Sequence, residues 1–483
     1  MVVAAAWVVY LAALALLGVY GVHRLTLVAR AHRRRPPAAP ALPPPAALPV
    51  VTVQLPIYNE QAVAARVIAA AAALDWPRDR LEVQVLDDST DATREVCAAA
   101  VAAARAAGVD AVHVHRRDRA GWKAGALEAG RAVARGELLC VLDADFVPPA
   151  DFLRRTAGHF ADPAVGMVQA RWDHLNRERS LLTRLQALLL DGHFAVEQAG
   201  RAQAGACFNF NGTAGLWRAA AIADAGGWQA DTLTEDLDLS YRAALRGWRF
   251  VYVDDVAAPA ELPADVLAFK SQQFRWAKGS IECARKLVAP AVRAPWPLRH
   301  RLEAVFHLTH NLPYLLTLLV LIAGGVALAG GGGPAWAGWI HAGSAVVTVA
   351  VLAAFVGTAQ RRLGRGLITT AARVPALIAL TAGLAVSQSR ALVEGLIGQR
   401  SEFVRTPKDG AIGAGRGQRR YRVGPGATIV AEAALAVHLI VCTTIAGVRG
   451  VAVEAAVLAW FAAGVAWIVV ASVLAGRRSP NAT

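Results

Sequence analysis

Apolar and polar positions divide this chain into a water-soluble middle and apolar ends. Residues 2–22 form an unbroken apolar run, and long apolar stretches return at 304–329, 342–359, 427–448 and 451–475. Each is read as a membrane-spanning helix, which takes about 20 residues. One further apolar stretch, 367–386, leads into an amphipathic segment at 387–400. Its flanks are both basic. Arg361, Arg362 and Arg365 precede it, and the loop 400–422 carries seven basic and two acidic residues, a net of +5. Cytosolic loops retain such charge. Both flanks are therefore read as cytosolic, and the stretch between them as an interfacial or re-entrant helix rather than a crossing. Five spans are expected; six is the alternative, and it would send the basic loop outside.

No basic residue precedes the first run, whereas Arg24, Arg30, Arg33, Arg34 and Arg35 follow it. A secretory signal carries its charge in front, so residues 1–23 read as an uncleaved anchor whose C-terminal side is cytosolic. Residues 24–49 are a basic, Pro-rich linker (Pro36, Pro37, Pro40, Pro43, Pro44, Pro45, Pro49), expected to be stiff and extended.

Between 50 and 300 the period changes. Short β-rich runs at 50–55, 81–86, 111–115 and 138–142 alternate with Ala-rich helical stretches. That alternation predicts an α/β domain, Rossmann-like, with a mostly parallel sheet and helices on both faces. Its ligand belongs beyond the carboxyl ends of the strands. The remaining chain divides into two spans within 301–360, the interfacial helix and basic loop at 361–425, and two spans within 426–476.

Composition changes this picture little. The hydrophobic fraction is 55%, and the net charge of +14 sits at the ends of apolar segments. No basic helix or base-stacking motif accompanies it, so nucleic acid is not an expected partner. The five cysteines (Cys97, Cys140, Cys207, Cys283, Cys442) show no short repeated spacing, which argues against a disulfide framework or zinc and for small buried thiols.

Acidic motifs stand at the strand ends: Asp87-Asp88-Ser89-Thr90-Asp91, then Asp143-Ala144-Asp145, then Glu235-Asp236, followed by Gln272-Gln273-Phe274-Arg275-Trp276. Carboxylates in such places also cap helices and fill solvated turns. That is the reading taken for Asp91, and it competes for Asp236, which opens a helical pattern through Leu239 and Ala243.

Together with Gln54-Leu55-Pro56-Ile57-Tyr58-Asn59-Glu60, Gly121-Trp122-Lys123-Ala124-Gly125, Val168-Gln169-Ala170-Arg171-Trp172 and Phe210-Asn211-Gly212-Thr213, these phrases resemble the processive family-2 glycosyltransferases, the group that includes cellulose and mannan synthases. They are most similar to the cellulose-synthase-like A group of mannan and glucomannan synthases and its bacterial relatives. The resemblance covers residues 50–410 and implies a GT-A-type fold for the cytosolic domain, in addition to transmembrane α-helices.

The resemblance also implies roles. Asp87 and Asp88 would meet the base and ribose of a nucleotide-sugar donor, and Lys123 its diphosphate. Asp143 and Asp145 would hold Mg2+ or Mn2+ against the phosphates, Asp145 as the direct ligand. Asp236 would be the base that takes the acceptor proton, with inversion at the anomeric carbon, and Glu235 would tune it. Gln272 and Arg275 would bind the donor, and Trp276 would form an aromatic floor for the acceptor sugar. Membrane-interface anchoring is the rival role for Arg275 and Trp276. Asn211, Gly212 and Thr213 suit an acceptor-side loop, against which stands a plain turn.

Phe403-Val404-Arg405-Thr406-Pro407-Lys408 is similar to the gating-loop motif of bacterial cellulose synthases, which brings Lys408 to the donor; Arg405 stands where Val is usual. The rival role is a basic loop held near membrane lipid. No cyclic-di-GMP-binding C-terminal domain is expected, and so neither is regulation by that messenger within the chain. Its few N-terminal spans suggest a small product path or an accessory export subunit.

The expected reaction is inverting, metal-dependent transfer of a hexose from GDP-mannose, GDP-glucose or UDP-glucose to a growing β-linked polysaccharide at the cytoplasmic membrane. Transfer of one sugar to a lipid acceptor is the alternative. A catalytically dead scaffold would be expected to lose Asp145 or Asp236. A transporter is disfavoured by spans with few charges.

Overall fold

The computed structural model describes residues 1–32, 40–331, 336–408, 410, 426 and 428–477. A seven-stranded sheet organises the middle of the chain. Its strands are β1 (Val51–Ile57), β2 (Leu81–Asp87), β3 (Asp110–His115), β4 (Leu138–Val141), β5 (Val165–His174), β6 (Gly215–Arg218) and β7 (Arg249–Ala260), in the order β3-β2-β1-β4-β6-β5-β7. The four expected strands are present within a residue or two of their expected bounds. β1 pairs in parallel with β2 and β4, and β2 with β3. The sheet departs from all-parallel at β6, which runs antiparallel to both β4 and β5.

Apolar residues cover both faces. Every residue of β2 and all but one of β1 are buried, as strands covered by helices on either side must be. One core joins Val53, Leu55 and Val83 to Val67, Ile68 and Val101; the other joins Leu139, Val141 and Trp217 to Leu127, Phe208 and Leu239. The chain leaves β1 toward β2 on one side and later returns to β4 on the other. The carboxyl ends of β1 and β4 therefore diverge at a topological switch point, where an α/β sheet opens a crevice.

Among the described residues, five helices are long and apolar enough to cross a membrane: Val2–Ala31, Leu312–Gly330, Ala337–Arg362, Ile429–Val448 and Ala452–Arg477. Two boundaries differ from expectation. The first helix continues past residue 23 to Ala31 because its basic residues find partners: Arg30 Nη1 lies 2.8 Å from Glu303, and Arg24 lies 3.6 Å from Glu197. The stretch 304–329 is not one helix. A first helix, Leu298–Leu308, stops at Thr309, and the next starts at Leu312 with Pro313 in its first turn, where a missing N–H costs nothing.

The stretch 367–400 forms two helices, Leu367–Gly383 and Ala385–Ile397, bent by 46° at Leu384. Both of its ends touch the sheet domain and its helical extension. Arg365 pairs with Asp191 at 2.7 Å before it, and Glu394 with Lys278 at 3.0 Å near its end. The pair therefore starts and finishes against the same body. Of the linker, residues 40–49 lie against the sheet domain, with Arg80 Nη1 donating to Leu48 O at 2.6 Å and Trp76 Nε1 to Pro49 O at 3.2 Å. Arg33–Arg35, Pro36, Pro37 and most of the basic loop after Lys408 lie outside the described residues.

Candidate active site

A cavity opens at the carboxyl ends of β1 and β4, and most of the sequence-derived candidates line it. Asp88, Lys123, Asp143, Asp145, Asn211, Gly212, Glu235, Asp236, Gln272, Arg275, Trp276 and Lys408 all face it. Each arrives for a local reason. Asp143 and Asp145 follow directly from β4. Asp236 stands in the first turn of the helix Glu235–Leu245, where the positive end of the helix favours a carboxylate. Lys123 opens the helix Trp122–Val133 after Gly121 and Trp122, both with positive φ.

The charges interlock. Lys123 Nζ lies 2.6 Å from Asp143 Oδ1, 2.9 Å from Gly212 O and 3.9 Å from Glu235 Oε1. Lys408 Nζ lies 2.6 Å from Asp145 Oδ2, which also accepts from Glu261 N at 3.1 Å. Arg275 donates to Thr406 Oγ1 at 2.9 Å and covers the Phe403 ring at 4.4 Å. The segment 403–408 thus closes over the cavity, anchored further by Arg405 to Glu60 at 3.2 Å.

Burial sets the protonation. Desolvation, with the adjacent Glu235 charge adding to it and Lys123 opposing, raises the Asp236 pKa to about 7. Glu235 is raised by desolvation against the pull of Lys123. Desolvation depresses Arg275, and the nearby carboxylates only partly restore it. Lys123 is raised because Asp143 and Glu235 outweigh its burial.

Two candidates are not where their assigned roles need them. Asp87 is fully buried and does not face the cavity; its carboxylate accepts from Ser89 N at 2.8 Å and meets His113 Nε2 at 2.9 Å. Thr213 is likewise buried, and its hydroxyl accepts from Asp143 N at 2.8 Å. Both brace the loops that carry their neighbours. Asp88 itself is held by Arg116, with Nε at 2.7 Å from Oδ1 and Nη2 at 2.5 Å from Oδ2.

Other wall residues had no role assigned from sequence. The Arg119 guanidinium stacks 3.5 Å above the Tyr58 ring at one end of the cavity. Trp172 lies 6.4 Å from Trp276 at the other. Tyr58 and Trp172 lie inside the quoted phrases, but nothing in the sequence pairs them with Arg119 or Trp276. Glu261, at the end of β7, carries no sequence signal at all.

A second cavity continues from the first past Trp172, Asn211, Asp236, Gln272 and Trp276 toward the apolar helices. Its walls include Asn209, Gln273, His307, His310 and Tyr314, with Arg24 and Phe355 from the membrane-type helices.

Asp143 and Asp145 are the groups suited to a divalent cation. They offer hard carboxylate oxygens on one wall, and Mg2+ or Mn2+ takes one or two such ligands and completes its shell with phosphate and water. Among the described residues no three His, Cys, Asp or Glu side chains form an all-protein cage. The residues fit a cation shared with a phosphate.

The family described as Glycosyltransferase like family 2 matches residues 48–279. These residues are a family-2-type glycosyltransferase domain. Glucomannan 4-beta-mannosyltransferase 2 of Arabidopsis thaliana is 46% identical over 250 residues, covering 51% of this chain and 47% of that protein. Glucomannan 4-beta-mannosyltransferase 1 of Oryza sativa subsp. japonica is 45% identical over 254 residues, 51% of this chain and 48% of that protein. The chain spans about half the length of these curated relatives. Among solved structures, the mannosyltransferase PcManGT from Pyrobaculum calidifontis, in complex with GDP-Man and Mn2+, matches with a TM-score of 0.56 at 22% identity, covering 81% of this chain and all of that one. That likeness gives the glycosyltransferase domain its GT-A fold, a mostly parallel sheet here extended by apolar helices.

Proposed function

We propose that this chain transfers a hexose from a nucleotide-sugar to a growing β-linked polysaccharide, with inversion, and that mannose from GDP-mannose is its substrate. The observation that carries the reading is the convergence of Asp236, Lys123, Asp143 and Arg275 on one cavity that continues into a second, whose walls mix aromatic rings with Asn, Gln and His side chains. The names of relatives 46% and 45% identical over the catalytic domain support mannose and a polysaccharide acceptor.

The chemistry follows from charge. Asp236, with its pKa near neutrality, takes the proton from an acceptor hydroxyl. The oxygen attacks the anomeric carbon from the face opposite the diphosphate, whose bond breaks as the new glycosidic bond forms. Lys123, Arg275 and Lys408 supply fixed positive charge as the diphosphate leaves. A divalent cation on Asp145 and Asp143 would neutralise the same phosphates. The Tyr58–Arg119 stack and Asp88 suit the nucleoside end of the donor, and Trp276 with Trp172 the acceptor sugar. The five apolar helices support a multi-pass membrane protein, with the basic flanks holding the catalytic domain at the cytosolic face.

The test is transfer by the full chain in detergent from radiolabelled GDP-mannose, GDP-glucose, UDP-glucose and UDP-N-acetylglucosamine, with Mg2+ or Mn2+. Label in a long polymer, lost on chelation and in Asp236→Asn, is the expected result. Label in a single-sugar lipid overturns the polysaccharide reading in favour of glycolipid synthesis.

A further inference from the structure

The helix that begins at Leu181 changes pitch at its centre. Leu181–Gly192 is α-helical, His193–Gln198 is a π-helical turn, and Ala199–Gln203 resumes the α pitch. A π turn is uncommon, is frequent at functional sites, and widens the backbone bond from four residues to five. In this segment the two residues five apart, His193 and Gln198, both reach one side chain, that of Asn211.

The hydrogen bonds fix which atom does what. Gln198 Nε2 donates to the backbone carbonyl of Asn209 at 2.8 Å, so it is the amide nitrogen that faces the loop. The same nitrogen donates to Asn211 Oδ1 at 2.5 Å. Asn211 Nδ2 is then the donor toward His193 Nε2 at 2.8 Å, which makes Nε2 the acceptor and puts the ring proton on Nδ1. Nδ1 faces Glu197 Oε2 at 3.1 Å, and Glu197 lies 3.6 Å from Arg24 of the first apolar helix. Asn211 is also held through its backbone, donating to Gln169 Oε1 at 2.8 Å. Its carboxamide is therefore gripped at both ends, and Nδ2 keeps one hydrogen that no described residue takes. Asn211 and Asp236 both line each of the two cavities, at the neck between them.

We propose that the π turn His193–Gln198 is a positioning element for the acceptor: His193 and Gln198 hold the Asn211 carboxamide so that its remaining N–H meets a hydroxyl of the acceptor sugar beside Asp236. This rests on the transferase reading above. Neither residue touches the reacting atoms. They act through Asn211, and a short π segment supplies the spacing that brings both to one amide, where an α turn would rotate the second away.

The test compares His193→Leu, Gln198→Met and His193→Gln in the full chain in detergent, with radiolabelled GDP-mannose and added β-1,4-mannotetraose. His193→Leu and Gln198→Met each leave one end of the Asn211 amide ungripped. The tetraose KM should rise about tenfold in both, in line with the loss of one buried hydrogen bond. The GDP-mannose KM should stay within about twofold of wild type, because no donor contact is altered. His193→Gln retains an acceptor oxygen for Asn211 Nδ2 and should recover most of the tetraose affinity. An unchanged tetraose KM in a folded Gln198→Met or His193→Leu protein overturns the proposal, as does His193→Gln behaving like His193→Leu. Wild-type protein that transfers to no acceptor instead overturns the function it rests on. Gln198→Met is close to isosteric and keeps the test open where His193→Leu fails to fold.

Discussion

Lys408 and Asp145 form an ion pair at 2.6 Å across 263 positions of sequence. The pair fastens the segment 403–408 onto one of the two carboxylates proposed to hold a divalent cation. An ammonium bound directly to a ligand oxygen competes with a metal for it. Lys408→Met should therefore lower the Mn2+ concentration for half-maximal activity. It should also raise the donor KM about tenfold, since a positive charge is lost beside the diphosphate. A Mn2+ titration at fixed donor, followed by a donor titration at saturating Mn2+, reads the two effects separately.

Asp236→Asn should lower kcat by about 10²–10⁴-fold, the usual contribution of a positioned base. The donor should still bind, because Asp236 contacts neither Asp143 nor Asp145. The folded state should not suffer: the wild-type carboxylate is held in a site that disfavours its charge, and an amide carries none. Donor titration calorimetry beside single-turnover kinetics separates binding from chemistry.

The pH profile follows from the same group. A base acts only when ionised, and Asp236 ionises near pH 7 because burial and Glu235 raise its pKa. The rate constant kcat/KM should climb as pH rises through about 7 and flatten above it. Glu235→Gln removes the neighbouring negative charge, so the rise should move to lower pH even though the absolute rate falls. A profile whose rise stays near 7 in Glu235→Gln would contradict the coupling of the two carboxyl groups.

Gly212→Ala should damage both stability and activity. Gly212 has φ of +78°, and an added Cβ would lie 3.1 Å from Asp236 Oδ2 and 3.3 Å from Lys123 Nζ. The left-handed backbone alone costs a side chain about 1–2 kcal/mol. The methyl group would also push the base from the lysine it faces. A lower melting temperature together with a fall in kcat larger than the fall in folded protein is the expected result.

Much of this protein was legible in its sequence. The strands of the parallel half are short runs rich in Val, Leu and Ile, buried throughout in β2 and β4 and nearly so in β1, and their length and spacing survive in the sheet almost unchanged. The apolar helices were equally plain, because a bilayer-length run of apolar residues has few other uses. The resemblance carried by motif order grouped Asp143, Asp145, Asp236, Arg275 and Trp276, and the fold brings all five to one cavity.

Tertiary structure decided the rest, because it depends on partners distant in sequence. Asp87 and Asp88 are neighbours in the chain, yet only Asp88 reaches the cavity; alternation along the strand end turns Asp87 inward to His113. Thr213 sits in an acceptor-type motif but holds the backbone of Asp143, 70 positions away. The antiparallel β6, the break before Pro313 and the extension of the first helix to Ala31, where Arg30 meets Glu303, all follow from packing between segments whose local patterns gave no warning. The π turn at His193 depends on both: the residues are written in the chain, but the pitch that brings them to Asn211 is set by what surrounds them.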